Sequence, residues 1–294
     1  MRRVVLFHSA FRAARIVFPV CIFLSALYIT SACSSYPRSS GKWISLSPSS
    51  TEILFGIGAG PEVCGVCSPA DYPEAASGIP EVASWQKVDI EAIVAASPEG
   101  CFTVDGMQAP ETIQTLSRLG IKVHSYPMKS MNDLFECIDT RGKLTGHSGE
   151  SDSLISAMMS KIESARSGIP VQKQNAIIIV GLNPLVVAGG NSFMDDMLHE
   201  AGYRNPLGEL GSNWPQVSLE RVASSLPDLV VYPEGEFGET EVKATINQLN
   251  SLMKKKVSSL AIDADILSRP GPRSPQALVK LCAERKRGIH IEQN

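Results

Sequence analysis

Trp85, in Ala83-Ser84-Trp85-Gln86, and Trp214, in Asn213-Trp214-Pro215-Gln216-Val217-Ser218, are two of only three tryptophans in the chain. Each is followed by a stretch of helical pattern carrying a glutamate, Glu91 and Glu220. An indole costs little conformational entropy to hold still, and it offers a flat apolar face with a polar edge, which suits gripping a large ring-shaped ligand. A single tryptophan is more often a packing residue, but one device built twice points to a clamp with one jaw on each of two lobes. The same pattern is open to a structural reading, an adhesin or surface lipoprotein without a small ligand, in which both rings are buried.

The other reactive side chains speak against catalysis. No Gly-x-Ser-x-Gly elbow is present, and Gly56, Gly58 and Gly60 close a helical pattern rather than open one after a strand. The five histidines include His8 and His290 near the ends, and His124, His147 and His199 form no closely spaced ligand pair, so no catalytic zinc or other metal site is expected. His124, at the end of a strand pattern, is the one that could reach a cleft. Cys64-Gly65-Val66-Cys67 has redox-motif spacing but lies in a strand-like stretch, where no helix N-terminus stabilises a thiolate. The expectation is a binding protein with no enzymatic activity and no cofactor.

The elements that must position these groups alternate. Strand patterns at 43–47, 63–66, 100–104 and 121–125 are interleaved with helical patterns from Ser50, at 89–96 and at 110–119, and Ser49 with Glu52 reads as a capping box. A second series has strands at 176–180, 229–232 and 257–262 and helices at 193–201, 219–225, 241–254 and 275–286. Such alternation predicts an α/β fold with parallel sheets covered on both faces. Between the two series, Ile155, Met158, Met159 and Ile162 recur at helical spacing over 148–167, about 30 Å of helix that is either a crossover within one sheet or a spine between two lobes. Trp85 to Val104 and Trp214 to Tyr232 run in the same order of tryptophan, short helix with glutamate, proline and strand. The expected organisation is an N-terminal lobe over 43–147, a linking helix over 148–168 and a C-terminal lobe over 175–287, with ligand at the carboxyl ends of the strands in the cleft between lobes.

Upstream of Trp43 the chain reads as a targeting segment. Arg2, Arg3, Arg12 and Arg15 precede an apolar run from Ile16 to Ile29, with Ser31-Ala32 before Cys33. This resembles a bacterial lipoprotein signal, with Thr30 in place of the usual leucine, and implies removal of residues 1–32, lipidation of Cys33 and a tether over 33–42. Loss of those four arginines and no acid shifts the net charge from −3 to −7. An acidic exported chain lacks the basic footprint that nucleic-acid binding needs. Cys64, Cys67, Cys101, Cys137 and Cys282 remain, an odd number, so at least one is unpaired.

Ile44-Ser45-Leu46-Ser47-Pro48-Ser49-Ser50-Thr51-Glu52, Asp71-Tyr72-Pro73, Val82-Ala83-Ser84-Trp85-Gln86, Gly181-Leu182-Asn183-Pro184 and Trp214-Pro215-Gln216-Val217-Ser218-Leu219-Glu220 together resemble the substrate-binding proteins of ABC importers for cobalamin, iron siderophores and haem. The resemblance runs from about Trp43 to Lys286. It implies two doubly wound α/β lobes joined by a single long backbone helix, with cobalamin or a related corrinoid in the interlobe cleft and a ferric siderophore or haem as the alternative cargo. It also implies ligand contacts from Trp85, Trp214, Asp265, Arg269, Tyr72 and Asn183, docking of Glu91 and Glu220 on an ABC permease dimer, and a monomer anchored at the periplasmic or outer cell surface. Pro69, Val104 and Val186 or Val187 replace aromatics of that family, and Cys282 stands at a disulfide position whose partner, near Ala201, is absent.

Overall fold

Ser47 and Pro48 start the first helix. The fixed φ of proline suits the first helical position, and the Ser47 side chain accepts from the Ser50 backbone N–H at 3.1 Å. The cap is therefore Ser47 rather than the expected Ser49, which is buried inside the helix; this leaves Ser50 rather than Glu52 at the capping-box position, and the Glu52 carboxylate pairs with Arg273 instead. The computed structural model describes residues 41–292, with side chains to Arg287. The signal segment, Cys33 and the tether up to residue 40 lie outside the described residues.

The N-terminal lobe comprises β1 (Trp43–Ser45), α1 (Pro48–Gly56), β2 (Val63–Cys67), β3 (Glu81–Ala83), α2 (Ile90–Ala96), β4 (Gly100–Val104), α3 (Pro110–Arg118), β5 (Lys122–Tyr126) and α4 (Met131–Thr145). Its five strands are all parallel in the order β3-β2-β1-β4-β5. α5 (Ser148–Arg166) follows. The C-terminal lobe comprises β6 (Gln174–Leu182), β7 (Leu185–Val187), α6 (Phe193–Glu200), β8 (Tyr203–Arg204), α7 (Leu219–Ser224), β9 (Leu229–Glu234), α8 (Glu239–Met253), β10 (Ser258–Asp263), α9 (Ala264–Ser268) and α10 (Ser274–Glu292). Its sheet runs β10-β9-β6-β7, with β8 beside the start of β6. β7 is antiparallel to β6. The sequence pattern marks no strand there, and it names neither β3, α4 nor α9.

Each sheet has a core of its own on one face. Ile44, Leu46, Ile93 and Cys101 belong to the N-terminal lobe, and Ile177, Ile179, Val222 and Leu249 to the C-terminal one. A third core crosses between lobes, joining Ile53 and Leu54 of α1, Leu134 and Ile138 of α4, Met158 and Ile162 of α5, Met197 of α6 and Leu281 of α10. Separating the lobes would expose this shared apolar surface at roughly 25 cal/mol per Å², which restrains them to small relative movements. Of the four apolar residues expected to seat α5, Met158 and Ile162 are buried, whereas Met159 is 50% exposed. α5 packs along a narrow i, i+4 stripe between α4 and α10, so its next residue turns outward.

Candidate ligand cleft

All the candidate ligand residues lie on loops or short elements that leave the carboxyl ends of strands. Trp85 follows β3 at the tip of a tight turn, where Ser84 N–H donates to Lys87 O at 2.7 Å and Ser84 Oγ accepts from the Gln86 and Lys87 N–H groups. Those bonds satisfy the turn backbone and hold the indole out, 72% exposed. Trp214, 50% exposed, has its N–H bonded to Ser212 Oγ at 3.2 Å, and the preceding Asn213 carbonyl accepts from Gly189 N at 2.9 Å. A Cβ at Gly189 would overlap the Ser212 carbonyl oxygen, so only glycine lets the Trp214 loop lie this close to the strand end. Neither indole is packed into a solid interface.

The repeat extends to single positions. α2 is capped by the Asp89 side chain accepting from Ala92 N–H, and α7 by Ser218 accepting from Arg221 N–H. Glu91 and Glu220 are each the second residue of their helix and six residues after their tryptophan, and both are exposed. Carboxylates suit a first helical turn, where free N–H groups concentrate positive potential, and Glu220 is held below its ordinary value by backbone and Ser218 hydrogen bonds. Ser97 and Leu226, which follow the two helices and precede prolines, share a left-handed φ of 48°.

A polar cluster bridges the two lobes. Arg269, after α9, donates through Nη1 to Asp71 Oδ1 at 2.6 Å, and its Nη2 lies 2.8 Å from Asp265 Oδ1. Arg273 grips Glu52 of α1 with Nε at 2.9 Å and Nη2 at 2.5 Å, and its guanidinium lies 4.0 Å from the centroid of the Tyr72 ring. The Asp71 carboxyl is held below its usual range by the Arg269 hydrogen bond, whereas burial pushes Glu52 up against the pull of Arg273. Because Asp71, Tyr72 and Glu52 belong to one lobe and Arg269 and Arg273 to the other, these contacts bring the strand ends of the two sheets together. On α6, Asp196 makes a further bridge, accepting from the Met131 N–H that opens α4 at 2.8 Å.

Asn183 is exposed at the tip of the β6–β7 hairpin, and none of the cluster's hydrogen bonds or ion pairs involves it. At the positions that lack an aromatic, Pro69 is exposed, Val104 and Val186 are half-buried, and Val187 lies wholly in the core. His124 does not reach the cleft. It sits mid-strand on β5 with its ring 5.4 Å from Phe102, and burial lowers its pKa. Cys64, Cys67, Cys101, Cys137 and Cys282 are all free thiols, with burial pushing Cys67 and Cys282 to about 11 and Cys101 to about 12. Glu52 and Arg273 escaped the sequence reading. The signal that could have found them is a glutamate between Ile53 and Thr51 on a helix otherwise buried, where a charge requires a partner.

Two α/β lobes over a shared core, each carrying an exposed tryptophan in the same sequence context, have the form of a two-lobed solute-binding protein. The chain matches the periplasmic binding protein family over residues 44–249 and belongs to it. It is 24% identical over 266 residues to the vitamin B12-binding protein of Yersinia pseudotuberculosis serotype O:3 (strain YPIII), covering 88% of this chain and 91% of that one. Among solved structures it is similar to the periplasmic vitamin B12 binding protein BtuF of Vibrio cholerae, with a TM-score of 0.72 at 21% identity over 83% of this chain and 96% of that one. The apo form of the periplasmic heme-binding protein RhuT from Roseiflexus sp. RS-1 gives the same TM-score of 0.72 at 23% identity, covering 84% and 98%. At such identities the structural likeness establishes the fold.

Proposed function

We propose that this protein captures cobalamin or a related corrinoid outside the cytoplasm and delivers it to an ABC importer without altering it. The observation that carries the reading is the pair of exposed indoles, Trp85 and Trp214, held at equivalent positions on the two lobes. Two aromatic planes across a cleft suit a flat macrocycle, and the vitamin B12-binding relatives add support from sequence. Tyr72, Asp265, Arg269 and Asn183 line the rest of the site. The lobes span 43–147 and 175–287, joined by the helix of 148–168. Glu91 and Glu220 dock on the permease dimer, one carboxylate per lobe fixing register on a twofold partner. Cys33 carries the lipid that tethers a monomer to the membrane.

A haem or ferric-siderophore cargo is the second reading, favoured by the aliphatic residues at Val104 and Val186, which offer fewer stacking faces than the resemblance implies. Isothermal titration with cyanocobalamin, cobinamide, haem and ferric siderophores separates the two. Saturable corrinoid binding that Trp85→Ala or Trp214→Ala weakens at least about tenfold, the loss of roughly 1.4 kcal/mol of contact, is the expected result. Binding of haem or siderophore alone replaces the cargo.

A further inference from the structure

The two guanidinium groups of the cross-lobe cluster are already engaged. Arg269 lies between Asp71 and Asp265, and Arg273 between Glu52 and the face of Tyr72. Exposure decides which sign of charge a ligand meets. The side chains of Arg269 and Arg273 keep 14% and 13% of their accessible surface and Glu52 keeps 1%, whereas Asp71 and Asp265 keep 50% and 38%. Three carboxylates against two guanidiniums leave the cluster with a net negative charge, and its open face is carboxylate oxygen. Glu234 and Asp263, the last residues of β9 and β10, and Asp105 and Glu236, just beyond strand ends, add exposed carboxylates, against Lys87 and Lys129.

We infer that Asp71 and Asp265 are specificity-determining residues: by saturating Arg269 and presenting carboxylate oxygen to the cleft, they admit a macrocycle whose periphery is amide and turn away one bearing free carboxylates. This rests on the tetrapyrrole reading above. A primary amide donates its N–H to Asp71 or Asp265 at no cost in charge. A propionate meets like charge in a partly desolvated site, and it reaches Arg269 only by displacing a carboxylate already bonded at 2.6 Å. Cationic ligands gain from the same field.

The test holds the ring constant and changes only its rim. The full chain, purified in mild detergent, is titrated with cobinamide and with cobyrinic acid, the corrin with carboxylates in place of the amides. The expected result is cobinamide binding at least about tenfold tighter, with the gap shrinking in the Asp71→Asn, Asp265→Asn double variant, whose melting temperature reports intact folding. Equal or tighter binding of cobyrinic acid to the parent overturns the inference whether or not the variant folds, and so does an undiminished gap in a folded variant. Should neither corrin bind, the corrinoid reading fails separately, and the comparison passes to haem and its bis-amide. Preference of the parent for the bis-amide then upholds the charge filter, and preference for haem, or silence towards all four ligands, overturns it.

Discussion

Glu52 and Arg273 show how a single pair ties capture to stability. The carboxylate is desolvated on α1, the guanidinium comes from the loop before α10, and together they hold one lobe against the other while backing the Tyr72 ring. Such a pair is worth little against a well-packed apolar substitute, yet removing one partner strands a charge. Glu52→Gln is therefore expected to destabilise the protein by about 3 kcal/mol, the lower end of the range for buried pairs because Arg273 keeps some solvent. The additional change Arg273→Met should recover part of that loss. Urea denaturation of the single and double variants measures both, and a single variant as stable as the parent would mean that the pair is solvated.

Among the elements, α5 carries the mechanical burden. It touches α4 on one side and α10 on the other, and Met158 and Ile162 are its anchors in the core that crosses between lobes. Met158→Ala leaves a cavity in that core and is expected to cost about 2–5 kcal/mol, whereas Met159→Ala, one residue on and half exposed, should change stability by under about 0.5 kcal/mol. Thermal or chemical melts of the two variants provide the comparison, and equal losses would place the wrong face of the helix in the core. The short helices α2 and α7 do a different task. With one side-chain cap each, they hold a glutamate in the first turn at the same place relative to an exposed indole.

Over the whole molecule, the two glutamates stand on different lobes, so the proposed docking needs the lobes to keep their spacing. The shared core, the Arg269–Asp71 and Arg273–Glu52 pairs and the Asp196–Met131 bond all resist separation. On the proposed docking role, the arrangement favours nearly the same spacing of Glu91 and Glu220 with or without cargo. Glu91→Ala with Glu220→Ala is expected to leave ligand affinity unchanged and to slow association with the permease, most strongly at low salt, since exposed charges act mainly on encounter. Stopped-flow association at two ionic strengths reads this, and parental rates in the double variant would remove the glutamates from docking.

The sequence by itself determined what depends on near neighbours. Strand and helix alternation and the repeated order of tryptophan, short helix with glutamate, proline and strand follow from local pattern and capping, whose energies are set within a few residues. The α/β class and the candidate clamp were legible for that reason. Tertiary structure alone decided that the Glu52 carboxylate pairs with an arginine 221 residues away, and that Asp71 meets Arg269 across 198. It also decided that β7 turns back along β6 and that Met158 rather than Met159 faces the core. The ion pairs and the burial of Met158 rest on which surfaces the two lobes bring together, and the β6–β7 pairing on edge-strand bonding within one sheet. A charge pairs, and an apolar face buries, only with a partner that the fold has already carried into reach.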